Sequence, residues 1–155
     1  LLPVGGRPIL EWILERISKV EEVESVYLVS NDKFAGHFET WAKHAQYPWP
    51  VDVINARTSS NETRLGAIGD LAFVIRARKL EADDLIVIAG DNFFDFDLGS
   101  FAKYGNKVRP HGVIAVYDVK DKELAKKLID AEIHKKAKIV AVNNFLFEVD
   151  LLNAC

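Results

Sequence analysis

The run Asp84-Leu-Ile-Val-Ile-Ala-Gly90, followed at once by Asp91-Asn92, constrains this chain more than any other stretch. Its apolar residues do not alternate with polar ones. That pattern predicts a strand buried on both faces, as in a parallel sheet. Gly90 then lets a ligand approach the backbone. Asp91 falls at the carboxyl end of the strand, the edge where ligands bind in open α/β sheets. A partly buried carboxylate there needs a partner. For a hard oxygen anion beside a nucleotide, the natural partner is Mg²⁺. Asp91 is therefore the candidate catalytic and metal-holding residue.

The surrounding pattern alternates between strands and helices. After a Gly5-Gly6 turn, Pro8 suits the first position of a helix. Ile9, Leu10, Ile13, Leu14 and Ile17 follow at helical spacing, with Glu11, Glu15 and Arg16 outside. Ser25–Val29 reads as a buried strand. Asn31 can cap the next helix, whose apolar stripe is Phe34, Phe38 and Trp41. Pro48 and Pro50 end that region, and Val51–Ile54 is the next strand. The polar stretch Arg57–Arg64 is the clearest loop. A helix is expected from Gly66 to about Lys79, with Leu71, Phe73, Val74 and Ile75 mostly inside. Val113–Tyr117 and Ile139–Val142 read as further strands, and Lys122–Lys138 has no clear period. Strands alternating with helices at short intervals predict parallel pairing and right-handed crossovers. The expected fold is a Rossmann-like three-layer α/β/α domain with a mostly parallel central sheet. It would span residues 1–155 as one domain.

Composition narrows the function. The chain has 155 residues, 49% hydrophobic and 28% charged, enough for one globular core. A net charge of −3 argues against non-specific nucleic-acid binding. The single cysteine, Cys155, permits no internal disulfide and suits a reducing, cytoplasmic compartment. No apolar run reaches the ~20 residues a membrane span needs, and the opening lacks the features of a signal peptide. The chain holds no methionine and does not start with one, so it reads as a piece of a longer protein.

Four segments together resemble the sugar-phosphate nucleotidyltransferases, which include glucose-1-phosphate thymidylyl- and uridylyltransferases. Leu1-Leu-Pro-Val-Gly-Gly-Arg-Pro8 resembles the segment after that family's lysine. Ser30-Asn-Asp-Lys-Phe34, with Phe38 and Trp41, resembles its second βα unit. Arg64-Leu-Gly-Ala-Ile-Gly-Asp-Leu71 is similar to its base-binding loop and helix, and Ala89-Gly-Asp-Asn92 to its metal motif. The resemblance implies transfer of a nucleotidyl group from a nucleoside triphosphate to a sugar 1-phosphate, with pyrophosphate released. It makes Asp91 the Mg²⁺ ligand. It assigns Arg64, Leu65, Gly66 and Gly90 to the nucleotide, and Asn143 and Asn144 to the sugar. It also allows a homo-oligomer. The family's glycine-rich triphosphate turn, its lysine and its Glu-Lys-Pro element are not found in this sequence. Asn144 stands where glycine is usual. Without the strongest phosphate-neutralising groups, the 155 residues by themselves are expected to show little or no turnover.

Two other readings compete. Asp95-Phe-Asp97 has the spacing of the metal motif of glycosyltransferases with a similar nucleotide-binding sheet, although Phe93, Phe94 and Phe96 suggest a packed turn. A non-catalytic regulatory subunit of the same fold is the third. Gly5-Gly6 lacks the Lys-Ser/Thr of a P-loop. His37 and His44 do not have the one-turn spacing of a helical metal pair. Trp49 between two prolines is either a packed anchor or an interface residue.

Overall fold

A computed structural model describes residues 3–60 and 62–115 and, as backbone alone, two strands at 138–142 and 145–149. The chain opens with a small antiparallel hairpin, β1 (Pro3–Val4) and β2 (Arg7–Pro8). Gly5 and Gly6 both adopt positive φ, at 58° and 86°, which the tight turn demands. Helix α1 (Ile9–Ile17) follows directly, with Pro8 at its N-cap. Ile9, Leu10, Ile13 and Leu14 are its buried residues, as their spacing predicts.

Strand β3 (Val26–Ser30) leads into α2 (Asp32–Ala42) and on to β4 (Val51–Asn55). Asn31 caps α2 as expected: its side chain accepts the Phe34 N–H at 3.1 Å. β3 and β4 pair in parallel, from Val26 opposite Val51 to Ser30 opposite Asn55. The period-2 side-chain alternation of β3 then divides the core. Val26 and Leu28 face Leu10 and Leu14 of α1, together with Phe38, Trp41 and Trp49. Tyr27 and Val29 face the opposite way, packing with Ile54, Val74 and Leu80. Val74 belongs to α3 (Gly66–Arg78). Helices therefore cover both faces of this two-stranded pair. In α2 the apolar stripe is shifted: Ala35 is the buried residue, whereas Phe34 is 45% exposed. Trp49 is a packed anchor, stacked on Tyr47 with ring centroids 5.1 Å apart.

The wide parallel sheet expected from the sequence is not formed. Among the described residues each sheet has two strands. Asp84–Ala89 forms no strand and has no ladder partner among the described residues, and Leu85, Ile86 and Val87 are about two-fifths exposed. Residues 113–115 form no strand either, and Ile114 is exposed. The rest of that expected strand lies outside the described residues. A parallel strand draws its stability from ladders on both sides and cover on both faces. An apolar run without those neighbours forms no ladder. The strand at Ile139–Val142 does form, as β5 (Lys138–Val142), but it pairs antiparallel with β6 (Phe145–Val149).

One helix was not foreseen. α4 (Leu98–Lys107) is capped by Asp97, which accepts from Gly99 N at 2.9 Å and Ser100 N at 3.2 Å. Its Leu98 joins Ile9, Ile13, Val20 and Phe94 in a third core cluster, with Ile88, Ala89, Phe96 and Phe101 around them. α1 is thus shared: one side of its stripe packs on β3 and the other on the 88–98 segment.

Candidate functional site

Two groups of residues stand where ligand chemistry is expected. The first is the carboxyl end of the β3–β4 pair. Ala56 N–H donates to Ser30 O at 2.8 Å, extending the parallel ladder past the strand ends. Asn55 then ties the edge together. Its Nδ2 donates to Asp32 Oδ1 at 2.8 Å, and its Oδ1 accepts the Arg57 N–H at 2.7 Å. Arg57 takes a left-handed conformation with φ of 56°. The turn sends the chain back over α2, where Asp32 N–H donates to Thr58 O at 3.0 Å. Thr58 is buried.

The loop beyond is built on Thr63. Its Oγ1 accepts from Ser59 N and Ser60 N, at 3.2 and 3.1 Å. Arg64 N–H donates to Ser60 O at 3.1 Å. A hydrogen bond from Ser60 also holds the Glu62 carboxyl below its ordinary range. The loop ends at Leu65 and Gly66, with Gly66 at φ of 73°. Arg64 and Leu65 are exposed, and Leu65 folds back over the first turn of α3. A Cβ at Gly69 would lie 2.8 Å from the Leu65 Cβ, so only glycine leaves room for it. Arg64, Leu65 and Gly66 are thus presented together at a loop-to-helix junction.

Asp70 lies behind this junction on α3. Burial alone pushes its carboxyl above the ordinary value. The folded state then holds the proton more tightly than the unfolded chain, so stability falls as pH rises from the ordinary carboxylate value through the raised one. Asp70→Asn is therefore expected to melt at higher temperature than the parent at pH 7, with the difference vanishing at about pH 3. Thermal melts of both proteins at the two pH values check this. A less stable variant at pH 7 would contradict it.

The second group is the turn after residues 84–90. Asn92 N–H closes it on Ala89 O at 3.2 Å. Asp91 is exposed, not partly buried as its sequence context suggests, because the strand leading to it is itself uncovered. Among the described residues no hydrogen bond or ion pair engages its carboxylate. Gly90 is exposed with open space where a Cβ would stand. The Asn92 side-chain Nδ2 is buried without a partner among the described residues. No described polar contact joins this turn to Arg64, Leu65 or Gly66.

Asp97, five positions after Asn92, has a different task. Besides its two backbone bonds, its Oδ2 accepts the Ser100 hydroxyl at 2.6 Å. That bond and the two N–H donors hold its carboxyl below the ordinary range. Both oxygens serve as a helix cap, so Asp95-Phe-Asp97 is not a free pair of metal ligands. Asn143 and Asn144 lie outside the described residues, as do His134, Lys135 and Lys136. Asn55 is an edge residue that the sequence reading does not single out, while Arg57 and Thr58 fall at the start of the loop it expects. Its signal lies in the sequence: it directly follows the Val51–Ile54 run of a strand that alternates with helices, where the ligand-binding edge belongs.

No helix among the described residues is long and apolar enough to cross a membrane. No protein-family model matches the chain, and no solved structure matches it. Two curated proteins do. The bifunctional protein GlmU of Methanococcus vannielii is 30% identical over 165 aligned positions, covering 96% of this chain and 36% of the relative. A candidate mannose-1-phosphate guanyltransferase of Sulfolobus acidocaldarius is 28% identical over 124 positions, covering 78% of this chain and 32% of the relative. The chain thus spans about a third of the length of the curated relatives it matches. Together the two similarities support the sugar-phosphate nucleotidyltransferase family, and nothing narrower within it.

Proposed function

We propose that this chain is the nucleotide-binding part of an enzyme that transfers a nucleotidyl group from a nucleoside triphosphate to a sugar 1-phosphate, releasing pyrophosphate. The observation that carries this reading is the state of Asp91. Its carboxylate is exposed and unengaged among the described residues, at the end of an apolar segment. The similarity to a protein named for guanylyl transfer to mannose 1-phosphate supports it.

Asp91 fits Mg²⁺ on donor chemistry. Mg²⁺ commonly takes one or two carboxylates and completes its shell with substrate phosphates and water. Among the described residues no group of three or more His, Cys, Asp or Glu forms a complete protein cage. A free carboxylate such as that of Asp91 suits an ion whose shell is completed by substrate phosphates and water. Bound there, the ion would neutralise phosphate charge as the sugar phosphate oxygen attacks the α-phosphorus in line. The protein's own share is placement. The Arg64–Gly66 junction offers a cation and an open backbone for the nucleotide, and Gly90 removes a side chain beside the metal position. Asn143 and Asn144 are proposed for the sugar. We further propose a cytoplasmic enzyme built from one such domain per chain, open to self-association.

The thymidylyltransferase-like form is the finer proposal. The test is pyrophosphate release by the complete gene product, with thymidine, uridine and guanosine triphosphates against several sugar 1-phosphates. We expect release with at least one pair and loss of it when EDTA removes Mg²⁺. Transfer from a finished sugar nucleotide to an acceptor, with no pyrophosphate chemistry, would replace this reading with a glycosyltransferase. The capping role of Asp97 disfavours that outcome.

A further inference from the structure

A cavity of about 350 Å³ opens between α1 and the end of α2, bounded by Glu11, Trp41 and residues 44–47. It stands apart from the proposed nucleotide edge. That edge meets the N-terminus of α2, whereas the cavity lies beyond the helix's other end, roughly 15 Å along its axis. Two aromatic rings and one carboxylate shape it. Tyr47 is stacked on Trp49, with centroids 5.1 Å apart and planes within 6°, which fixes its ring. Trp41 meets Tyr47 at 6.4 Å with the planes tilted by 46°, so these two rings form an open wedge rather than a closed stack. Glu11, half-buried on α1, reaches the edge of Trp41: its Oε1 accepts the indole N–H at 3.2 Å. Its Oε2 has no partner, and no cation pairs with it, among the described residues. Arg7 is already paired with Glu15 and lies over the Trp12 ring, 3.4 Å from its centroid. The local field is felt at Tyr47. Burial first, then the Glu11 charge, holds its phenol above the ordinary value, against an opposing pull from Arg7.

We propose that this cavity binds a small alkylated ammonium ion, the class that choline represents. Three arguments lead to that chemistry. First, a half-buried carboxylate without a counter-ion is costly, and a ligand cation supplies one. Second, aromatic faces attract a cation held within about 6 Å of the ring centroid, and the wedge offers two such faces to one ion. Third, the site selects among cations. A primary ammonium brings three donors, which one free carboxylate oxygen and two ring faces do not satisfy. A metal ion wants several hard ligands, and no group of three or more His, Cys, Asp or Glu forms among the described residues. An alkylated ammonium presents charge without those demands. The volume suits a small ligand. The site does not depend on the proposed activity.

Calorimetric titration of the complete gene product with choline tests this. The comparison ligand is its uncharged carbon isostere, in which a tert-butyl group replaces the trimethylammonium. We expect choline to saturate with a Kd of about 1 mM or tighter, and the isostere to bind at least about tenfold more weakly. Glu11→Gln keeps an acceptor for Trp41 and nearly the same shape. Its melting temperature should match the parent while choline binding weakens at least about tenfold. Tyr47→Leu removes a ring face and leaves the charge, and should weaken choline binding at least about threefold. Nuclear Overhauser contacts should run from the choline methyl protons to the Trp41 and Tyr47 rings. Equal affinity for choline and its isostere would overturn the proposal. So would unchanged choline affinity in either variant, no saturation by about 10 mM choline, or contacts to other rings alone.

Discussion

Asp91→Ala in the complete gene product is expected to lower kcat/KM for pyrophosphate release by at least about a hundredfold, or ~2.7 kcal/mol of barrier. The same change should leave folding stability within about 0.5 kcal/mol, because surface substitutions away from special contacts rarely do more. The separation of the two effects follows from the geometry. Asp91 is exposed, its carboxylate has no partner among the described residues, and the turn it occupies is closed by the backbone bond from Asn92 to Ala89. Removing the carboxylate therefore removes charge from the proposed metal position without breaking an internal bond. Asp91→Asn keeps the shape and should show the same loss. Asp95→Asn, four positions on, should stay within a few-fold of the parent. Steady-state kinetics beside thermal melts check all three. A variant at position 91 that retains full turnover would remove it from the mechanism.

The largest loss of stability is expected at Phe94. Its side chain is 1% exposed, inside the cluster of Ile9, Ile13, Val20 and Leu98. Its ring lies against Phe96 with centroids 4.8 Å apart. Truncating a buried phenylalanine costs about 3–5 kcal/mol, combining lost burial with the cavity left behind. Domains have only about 5–15 kcal/mol in total. For a domain of this size Phe94→Ala should lower the melting temperature by about 10 °C or more. Phe93 is the control. It is 44% exposed and meets Trp12 only edge-on, at 6.0 Å. Phe93→Ala should cost less than about 1 kcal/mol. Thermal melts of the two variants decide. Equal losses at both positions would contradict the packing described here.

Which parts of this structure could be read from the sequence depends on how local their causes are. α1, α2 and α3 start and stop near the expected residues, because capping and helical periodicity act within a turn or two. Asn31 is the clearest case: an amide side chain before an apolar-periodic run became the N-cap of α2. β3 and β4 were legible for a related reason, each being a short apolar run bounded by turn residues. α4 carries the same kind of signal in Asp97 and Leu98, but the adjoining Phe93, Phe94 and Phe96 have no helical spacing and mask its start. The failures are non-local. Residues 84–90 have the composition of a buried strand, yet composition cannot supply the neighbours such a strand needs. Its exposure also changed the setting of Asp91, from a partly buried carboxylate to an open one. The role of Asn55 is not legible locally because its position depends on the parallel register of β3 with β4, which no single stretch encodes. Asp97 has a motif-like spacing from Asp95 yet serves as a helix cap, a role Asp commonly takes.

Everything functional here turns on whether Asp91 holds a divalent cation shared with a nucleotide. Electron paramagnetic resonance of Mn²⁺, a common stand-in for Mg²⁺, reports this directly by following the free ion during titration with protein. With a nucleoside triphosphate present, the complete gene product should deplete the free-ion signal beyond what the nucleotide alone achieves, and Asp91→Ala should abolish that excess. An equal excess in the parent and in Asp91→Ala would place the cation elsewhere and contradict the account.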